Sequence, residues 1–228
     1  MVNLFREAAE PGPLLSIAGY PTRRVKLQFG DVHIELLTVD RLEDYVDAAA
    51  QLRDADAPEP PYWAHLWAGS RALAGLMAQA DCAGRRVVDI GCGLGLAGLV
   101  AARRGASVTM CDLFGEALRF ARGSIELNAC RAGLVQMDLR ASALRGRFDY
   151  CVAADVTYDP SLQAATAGFL AAHLARDGRA WCAESVRTLD QGFQQACTGL
   201  GMLVSERDVC EPDEGRDTRV RITEVRWR

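Results

Sequence analysis

The stretch Val87–Gly98, VVDIGCGLGLAG, decides the fold predicted for this chain. Its first four residues are apolar and β-branched except for Asp89, which indicates a short buried strand, and three glycines at alternate positions follow at once. Leu96–Arg104 then repeats apolar residues with the period of a helix. A strand, a glycine turn and a helix N-terminus form a cofactor site, because glycine lets the backbone approach a ligand closely and the first helical N–H groups point at that ligand.

The spacing of the glycines separates two classes of cofactor. Counted from Gly93, the sequence matches the dinucleotide fingerprint G-x-G-x-x-G. In that fingerprint the first glycine directly follows the strand, and here that residue is Gly91, which leaves Leu96 where the third glycine should fall. Asp89 would meet a pyrophosphate badly, whereas it suits a cofactor that carries an ammonium group. A nicotinamide-dependent oxidoreductase is therefore an alternative that both Asp89 and Leu96 disfavour.

Two motifs of this chain resemble a known family. D-x-G-x-G-x-G at Asp89–Gly95 resembles motif I of the class I S-adenosylmethionine-dependent methyltransferases. Together with PYWAHLWAGSRALA at Pro61–Ala74, it is similar to methyltransferase family 16, which includes lysine methyltransferases of the electron-transfer flavoprotein β subunit, calmodulin and several chaperones, and to nicotinamide N-methyltransferase-like enzymes. The resemblance covers residues 60–228 and implies that Trp67 lies beside the cofactor, although many members have proline where this chain has Ala68.

The other predicted cofactor residues follow the next strands of the sheet. Asp112 ends the second strand near the spacing at which a carboxylate binds both hydroxyls of a ribose. After the third strand, the family usually has Asp-Trp at the adenine edge, and this chain keeps Asp138 but has Leu139 instead of the tryptophan, so we expect packing rather than stacking there. The predicted S-adenosylmethionine site comprises Trp67, Asp89, Gly91, Cys92, Gly93, Gly95, Asp112, Leu113, Asp138, Leu139 and Ala154.

Asp155 and Tyr158 are the predicted catalytic residues. They follow the near-continuous apolar strand Phe148–Ala154, which is typical of the centre of a parallel sheet, and ligands bind beyond the carboxyl ends of such strands. Their D-x-x-Y pattern resembles the D/E-x-x-Y/F motif of family 16 at the same place. Alternatively Asp155 caps the following helix, but Asp159 directly precedes Pro160 and is the better N-cap candidate.

The order of elements predicts an α/β fold. Strands and helices alternate until a terminal pair of strands, which resembles the Rossmann-like class I methyltransferase fold: a seven-stranded, mostly parallel sheet with helices on both faces and an antiparallel last strand. We expect the methyltransferase domain over residues 61–228, with a charged loop at 210–218 between the last strands. Residues 1–60 are expected to pack on this core as a loosely ordered arm over 1–21, a β-hairpin appendage over 24–36 and a helix over 42–52.

Composition limits the partners and the compartment. The 228 residues carry a formal charge of −4, which makes a nucleic-acid partner unlikely. Eight cysteines without a C-x-x-C pair, and only three histidines, argue against a zinc site and favour buried free thiols, so no metal is predicted. No leader or membrane-length apolar run is visible, so we expect a reduced, cytoplasmic monomer.

The predicted function is transfer of a methyl group from S-adenosylmethionine to a nitrogen acceptor, with a protein lysine as the leading acceptor. The absence of a nucleophile–His–acid constellation favours direct transfer over a covalent intermediate. A small-molecule amine is the first alternative acceptor. A catalytically inactive cofactor-binding module is a further alternative, which the intact set of acidic and glycine residues disfavours.

Overall fold

The structure is a computed structural model that describes residues 8–10, 16–45, 60–185, 191–213 and 215–228. In chain order, the strands are β1 (Ala8–Glu10), β2 (Ser16–Ile17), β3 (Tyr20–Phe29), β4 (Val32–Val39), β5 (Arg86–Ile90), β6 (Ser107–Asp112), β7 (Ala132–Gln136), β8 (Phe148–Ala154), β9 (Leu174–Ser185), β10 (Met202–Asp213) and β11 (Arg216–Trp227). The α-helices are α1 (Ala68–Gln79), α2 (Leu96–Arg103), α3 (Gly115–Leu127), α4 (Pro160–His173) and α5 (Gly192–Gly199), and single 3₁₀ turns lie at Leu42–Tyr45, Tyr62–Ala64 and Leu139–Ala141.

Seven strands form the main sheet, in the order β10-β11-β9-β8-β5-β6-β7. The five strands from β9 to β7 are parallel, and β11, the last strand of the chain, is antiparallel to both of its neighbours. The predicted Rossmann-like α/β fold is confirmed. The strand order reverses beside β5, which makes the carboxyl end of this strand the place where such sheets bind ligands.

Both faces of the main sheet are covered because consecutive residues of its central strands are apolar and point to opposite faces. Val87 of β5 packs in the core that includes Leu73 of α1 and Leu99 of α2. Its neighbour Val88 points to the opposite face and packs in the core that includes Leu170 of α4. The carboxyl edge of the sheet therefore stands between two layers of helices, which fixes the positions of the residues that follow each strand.

The N-terminal segment forms a second sheet rather than a hairpin alone. The predicted hairpin is present as β3 and β4, and β1 and β2 also pair with β3. The expectation of a loosely ordered arm over residues 1–21 is thus wrong for residues 8–10 and 16–21. Strands of two and three residues are too short to show the alternation that reveals a strand in a sequence.

Side chains of α3 and of its C-cap residue, Asn128, satisfy the free edge of β4. Asn128 Oδ1 accepts a hydrogen bond from Glu35 N at 2.9 Å, and Asn128 Nδ2 donates to Glu35 O at 2.6 Å. Ser124 Oγ accepts from Leu37 N at 3.0 Å. Polar side chains on a helix thus replace a strand partner and fix the N-terminal sheet on the main domain.

Two other expectations differ from the structure. Of the helix expected over 42–52, residues 42–45 form one 3₁₀ turn, and residues 46–52 lie outside the described residues. The loop expected at 210–218 is wrong, since β10 and β11 continue pairing as far as Asp213 and Arg216. Charged side chains are compatible with this exposed hairpin because opposite charges pair across it. Asp208 accepts hydrogen bonds from Arg219 Nε at 2.7 Å and from Arg221 Nε at 3.2 Å.

The eight cysteines are free thiols, and Cys82, Cys111, Cys151, Cys182 and Cys197 are buried, as expected for thiols in apolar strands and helices. None of the helices in the described part of the chain has the length and apolar character needed to span a membrane.

Candidate active site

A cavity of about 540 Å³ lies at the carboxyl ends of β5, β6 and β8. With one exception, every predicted site residue lines it: Trp67, Gly91, Cys92, Gly93, Gly95, Asp112, Leu113, Asp138, Leu139, Ala154, Asp155 and Tyr158. The exception is Asp89. Residues from five separated segments of the chain therefore meet at one place, as the strand-end rule predicts for this kind of sheet.

The glycine turn needs glycine for close packing as well as for its backbone angles. Gly91 and Gly93 have φ of 59° and 51°, in the left-handed region that side chains disfavour. A Cβ at Gly93 would stand 2.8 Å from Trp63 O, and one at Gly91 would stand 2.8 Å from Val156 Cγ2. The turn leads directly into α2, whose first N–H groups are thereby brought to the cavity.

Asp112 joins the ends of β5 and β6. Its Oδ2 accepts a hydrogen bond from Gly93 N at 2.8 Å, and its Oδ1 accepts from Phe114 N at 2.9 Å. Burial raises the pKa of this carboxyl group, and the backbone N–H donors offset part of that rise. A carboxylate has about four lone-pair sites, so both oxygens can also accept hydrogen bonds from the hydroxyls of a ribose.

Asp89 is buried beneath the turn rather than on the cavity wall. Its Oδ2 accepts a hydrogen bond from Gly98 N, in the first turn of α2, at 2.9 Å. Burial raises the pKa of Asp89 to about 7, and the bond from Gly98 opposes that rise. The structure thus gives Asp89 a role in fixing α2 on the turn, and contact with the ammonium group of a cofactor stays a prediction.

The raised pKa of Asp89 predicts a pH-dependent stability. Between about pH 4 and pH 7 the folded protein holds a proton on Asp89 that the unfolded chain has lost, so the free energy of unfolding falls as pH rises through this range. Asp89→Asn keeps an oxygen for Gly98 N without a charge. At pH 8 the variant should be more stable than the wild type by up to about 4 kcal/mol, with little difference near pH 4.

Urea unfolding of both proteins between pH 4 and pH 8 measures this effect. Glu211→Gln is the comparison variant, since burial also raises the pKa of Glu211 to about 7, and it should remove a pH dependence of the same sign while leaving the bond from Gly98 N in place. An Asp89→Asn variant with the pH dependence of the wild type would show that Asp89 ionises normally in the folded protein.

Trp67 is held at the cavity by neighbours on two sides. Its Nε1 donates a hydrogen bond to Tyr62 O at 3.1 Å, and its ring meets the His65 ring edge-on with centroids 4.4 Å apart. His65 Nε2 in turn lies 3.1 Å from Asp213 Oδ1 at the end of β10. A second tryptophan on the cavity wall, Trp63, belongs to an aromatic cluster that joins the N-terminal sheet to α3.

We expect cofactor binding to change tryptophan emission mainly through Trp67. Trp67→Phe should remove most of the fluorescence change and weaken cofactor binding by about 2- to 10-fold, because an aromatic contact contributes about 0.5–1.5 kcal/mol. Fluorescence titration with S-adenosylmethionine measures the first quantity, and calorimetry measures the second. Trp227→Phe is the control, since Trp227 packs on Arg176 away from the cavity. A fluorescence change on cofactor binding that remains in Trp67→Phe and disappears in Trp63→Phe would assign the signal to Trp63.

Asp155 connects three segments at the other end of the cavity. Its backbone has φ of 51°, and its N–H donates to Ala183 O at 2.8 Å. Its Oδ1 accepts from Ser185 N at 2.8 Å, and its Oδ2 accepts from Gly69 N at 3.2 Å. The alternative that Asp155 caps α4 is wrong, because the N-cap is Asp159, which accepts from Ser161 N at 2.8 Å.

The acceptor end, defined here by Asp155, Tyr158 and Glu184, includes one residue that the sequence analysis did not select. Tyr158 is 79% exposed at the cavity mouth. Glu184 also lines the cavity, and its Oε1 accepts a hydrogen bond from Thr157 N at 2.9 Å and one from the Thr157 hydroxyl. Glu184 stands next to last in β9, so the strand-end rule that selected Asp112 could have found it.

The described ionisable side chains of the acceptor end are two carboxyl groups and the phenol of Tyr158. Among the described residues that line the cavity, Arg140 is the one arginine or lysine, and its Nε donates to Asp138 Oδ1 at 3.0 Å, which lowers the pKa of Asp138. Within the described ranges, no three His, Cys, Asp or Glu side chains form a group that could hold a metal ion. The acceptor end thus contains the carboxyl groups of Asp155 and Glu184.

Comparisons with known proteins place the chain beside methyltransferases. The model of the methyltransferase small domain matches residues 62–155, which include the aromatic loop, the glycine turn and Asp155. The chain is 34% identical over 112 residues to the electron transfer flavoprotein β subunit lysine methyltransferase of Xenopus laevis, covering 45% of this chain and 43% of that protein. It is 37% identical over 103 residues to a ubiquinone biosynthesis O-methyltransferase of Xanthomonas axonopodis, covering 45% and 40%.

The chain therefore spans less than half the length of these curated relatives. Among solved structures, magnesium protoporphyrin IX methyltransferase from Synechocystis with bound SAM aligns with a TM-score of 0.56 at 18% identity, covering 87% of each chain. At this identity the likeness shows the fold.

Proposed function

We propose that this chain is an S-adenosylmethionine-dependent methyltransferase that methylates a nitrogen acceptor, with the side chain of a protein lysine as the acceptor. The small-domain match and the fold support a class I methyltransferase, and the solved neighbour with bound SAM supports S-adenosylmethionine as the cofactor. Membership of family 16 is not confirmed by these comparisons and is part of the proposal.

The carboxyl group of Asp155 at the acceptor end carries the nitrogen assignment. Asp155 lines the cavity beyond the glycine turn, and Tyr158 stands exposed at its mouth. A lysine side chain carries a positive charge at neutral pH because its ordinary pKa is about 10.4. Carboxylate groups attract such a cation, and an aromatic ring can guide its apolar stem.

Different groups of the predicted cofactor residues would bind different parts of the cofactor. The N–H groups at the start of α2 and the turn at Gly91–Gly95 would hold its methionine carboxylate, and Asp112 would bind the ribose hydroxyls. Leu113 and Leu139 would pack on the adenine. S-adenosylmethionine supplies a methyl group already activated on a sulfonium, so the chain has to hold the acceptor in line rather than activate a leaving group.

The residues at the acceptor end would orient the amine and let it lose its proton. A neutral amine is the nucleophile, so the proton has to pass to water or to a side chain before transfer. Asp155 would hold a protonated lysine strongly, and its role is therefore capture and orientation. Direct transfer fits the two cysteines of the wall, because burial raises the pKa of Cys111 to about 12 and also raises the pKa of Cys92 well above its usual value, which leaves both as weak nucleophiles.

A second candidate is O-methylation of an apolar small molecule. The Xanthomonas relative named as an O-methyltransferase favours it. The cavity mouth also has a rim of exposed apolar side chains that an apolar acceptor could contact: Tyr62, Leu113, Phe114 and Tyr158. This candidate and the lysine candidate use the same cofactor. They differ in whether a small molecule or a protein receives the methyl group.

Radiolabelled S-adenosylmethionine separates the candidates. The chain is incubated with the labelled cofactor and a cell lysate, which is then divided into protein and solvent-extracted fractions, and labelled protein is hydrolysed for amino-acid analysis. Labelled methyl-lysine supports the proposal, whereas label in the extracted fraction supports the second candidate. Incubation without the chain is the control. Calorimetry that shows binding of NADH or NADPH, and none of S-adenosylmethionine, would contradict methyl transfer altogether.

A further inference from the structure

A buried polar network holds the loop that carries Tyr158. Thr157 is 3% exposed, and both its N–H and its hydroxyl donate to Glu184 Oε1 across a sequence separation of 27 residues. On the other side, Gln163 Nε2 in α4 donates to Thr157 O at 3.1 Å. The backbone of Thr157 is therefore fixed through its N–H, its carbonyl group and its side chain at once.

This network and the contacts of Asp155 fix both ends of one short segment. Asp155 is tied to β9 and to the start of α1 through its backbone and its carboxylate. Thr157 is tied to β9 and to α4, and Tyr158 follows it directly. Tyr158 is highly exposed and directly follows Thr157. The network through Thr157 therefore fixes the backbone from which the Tyr158 side chain extends.

We infer that Glu184 is a positioning residue, which acts on methyl transfer through Thr157 by holding the Asp155–Tyr158 segment against the acceptor. This inference rests on the proposed function, since it assigns a use to the same cavity. It differs from the role of a binding carboxylate, in which the negative charge of Glu184 would itself attract a cationic acceptor. Hydrogen-bond acceptance needs only the oxygen, whereas attraction of a cation needs the charge.

Two substitutions at the same position separate these roles. Glu184→Gln keeps an oxygen for Thr157 and removes the charge, so the methyl-transfer rate should stay within about threefold of the wild-type rate, since a neutral acceptor is about half as strong. Glu184→Ala removes the oxygen, and the rate should fall by about 10- to 100-fold, because small misplacements of reacting groups are costly. The Kd of S-adenosylmethionine should change less than the rate in either variant, since the hydrogen bonds between Glu184 and Thr157 do not include the glycine turn.

Hydrogen exchange gives a measurement that does not depend on activity. In Glu184→Ala, the Thr157 amide should exchange about 10- to 100-fold faster than in the wild type, whereas in Glu184→Gln it should stay protected. Glu206→Ala is the matched control, because Glu206 also accepts a hydrogen bond from a threonine hydroxyl, that of Thr223, but does not line the cavity. It should leave both the exchange of Thr157 and the transfer rate unchanged.

Thr157→Val tests the pair without removing Glu184. It deletes one of the two donors at nearly constant volume, so its rate should fall less than that of Glu184→Ala, and the double variant should be no slower than Glu184→Ala alone. If Glu184→Ala does not fold, the rate of Thr157→Val alone still measures the contribution of the hydroxyl donor.

Three results would overturn the positioning role: a Glu184→Gln rate as low as that of Glu184→Ala, additive rate losses in the double variant, or unchanged exchange of the Thr157 amide in Glu184→Ala. A wild-type chain that binds the cofactor but methylates no acceptor contradicts the proposed function, and the exchange measurement then still supports or overturns the hold on Thr157.

Discussion

Replacing Asp112 with alanine should weaken binding of S-adenosylmethionine by about 100-fold, because each hydrogen bond to a charged group contributes about 1.5–3 kcal/mol. The substitution removes the proposed acceptor for the ribose hydroxyls. It also leaves Gly93 N without the carboxylate oxygen that it contacts at 2.8 Å, so the glycine turn loses its tie to β6. Asp112 thus acts on the cofactor both directly and through the turn.

Calorimetry with two ligands separates these contributions. S-adenosylhomocysteine and its 2′-deoxy analogue should differ in Kd by about tenfold or more in the wild type, since one hydroxyl then lacks its bond to Asp112. In Asp112→Ala the two ligands should bind with nearly equal affinity. Asp138→Ala is the control, because Asp138 is more exposed and its carboxylate already pairs with Arg140. A folded Asp112→Ala variant with wild-type affinity would remove Asp112 from the cofactor site.

The parts of the fold that are determined by residues close together in the sequence could be predicted from it. β5 and α2 lie where the apolar pattern placed them, to within one residue. The glycines between them have left-handed backbone angles that other residues avoid, so the sequence itself marks the turn. The cap of α4 at Asp159 follows from the preference of aspartate before an N-terminal proline.

The contacts that build the acceptor end could not be predicted in this way. Asp155 meets Gly69 across 86 residues, and His65 meets Asp213 across 148. No local preference encodes such pairs, since they arise only when the sheet has closed and the loops at its edge have packed. The sequence could therefore place Asp155 at a strand end but could not reveal that its carboxylate accepts two backbone N–H groups.

The position of Asp89 beneath the glycine turn could have been predicted from the alternation of side chains along β5. Side chains of a strand point alternately to its two faces, so Asp89 shares a face with Val87. Val87 packs in the core on the side of α2, and Asp89 correspondingly meets the first turn of α2 at Gly98. The interpretation of Asp89 as a residue for the ammonium group considered its distance along the chain from the turn but not the face of β5 to which it points.

Replacing Asp155 should lower the rate of methyl transfer by about 100-fold or more, because it misplaces the acceptor relative to the methyl group. Asp155→Ala removes the carboxylate that would orient the amine and also frees Gly69 N and Ser185 N. Cofactor affinity should also fall, because Gly69 lies only two residues after Trp67. It should fall less than the rate, because the glycine turn keeps its own contacts. Tyr158→Phe should lower the rate less than Asp155→Ala, because the ring is retained.

Two variants nearby make this result specific to the carboxylate of Asp155. Gly69→Ala keeps Asp155 but would place a Cβ 2.3 Å from its Oδ2, so it should displace the carboxylate and lower the rate in the same way. Asp159→Ala removes the true N-cap of α4 four residues away. It should cost about 1 kcal/mol of stability and leave the rate of the folded protein near that of the wild type.

Single-turnover methylation of the acceptor identified by labelling, with Kd and unfolding free energy measured for each variant, decides between the two roles of Asp155. If the carboxylate orients the acceptor, the rates of Asp155→Ala and Gly69→Ala fall together while that of Asp159→Ala does not. If Asp155 only ties the segments together, Asp155→Ala loses stability, but its folded fraction transfers the methyl group at the full rate. That second outcome would leave Asp155 as a support of the acceptor end and would remove it from the chemistry.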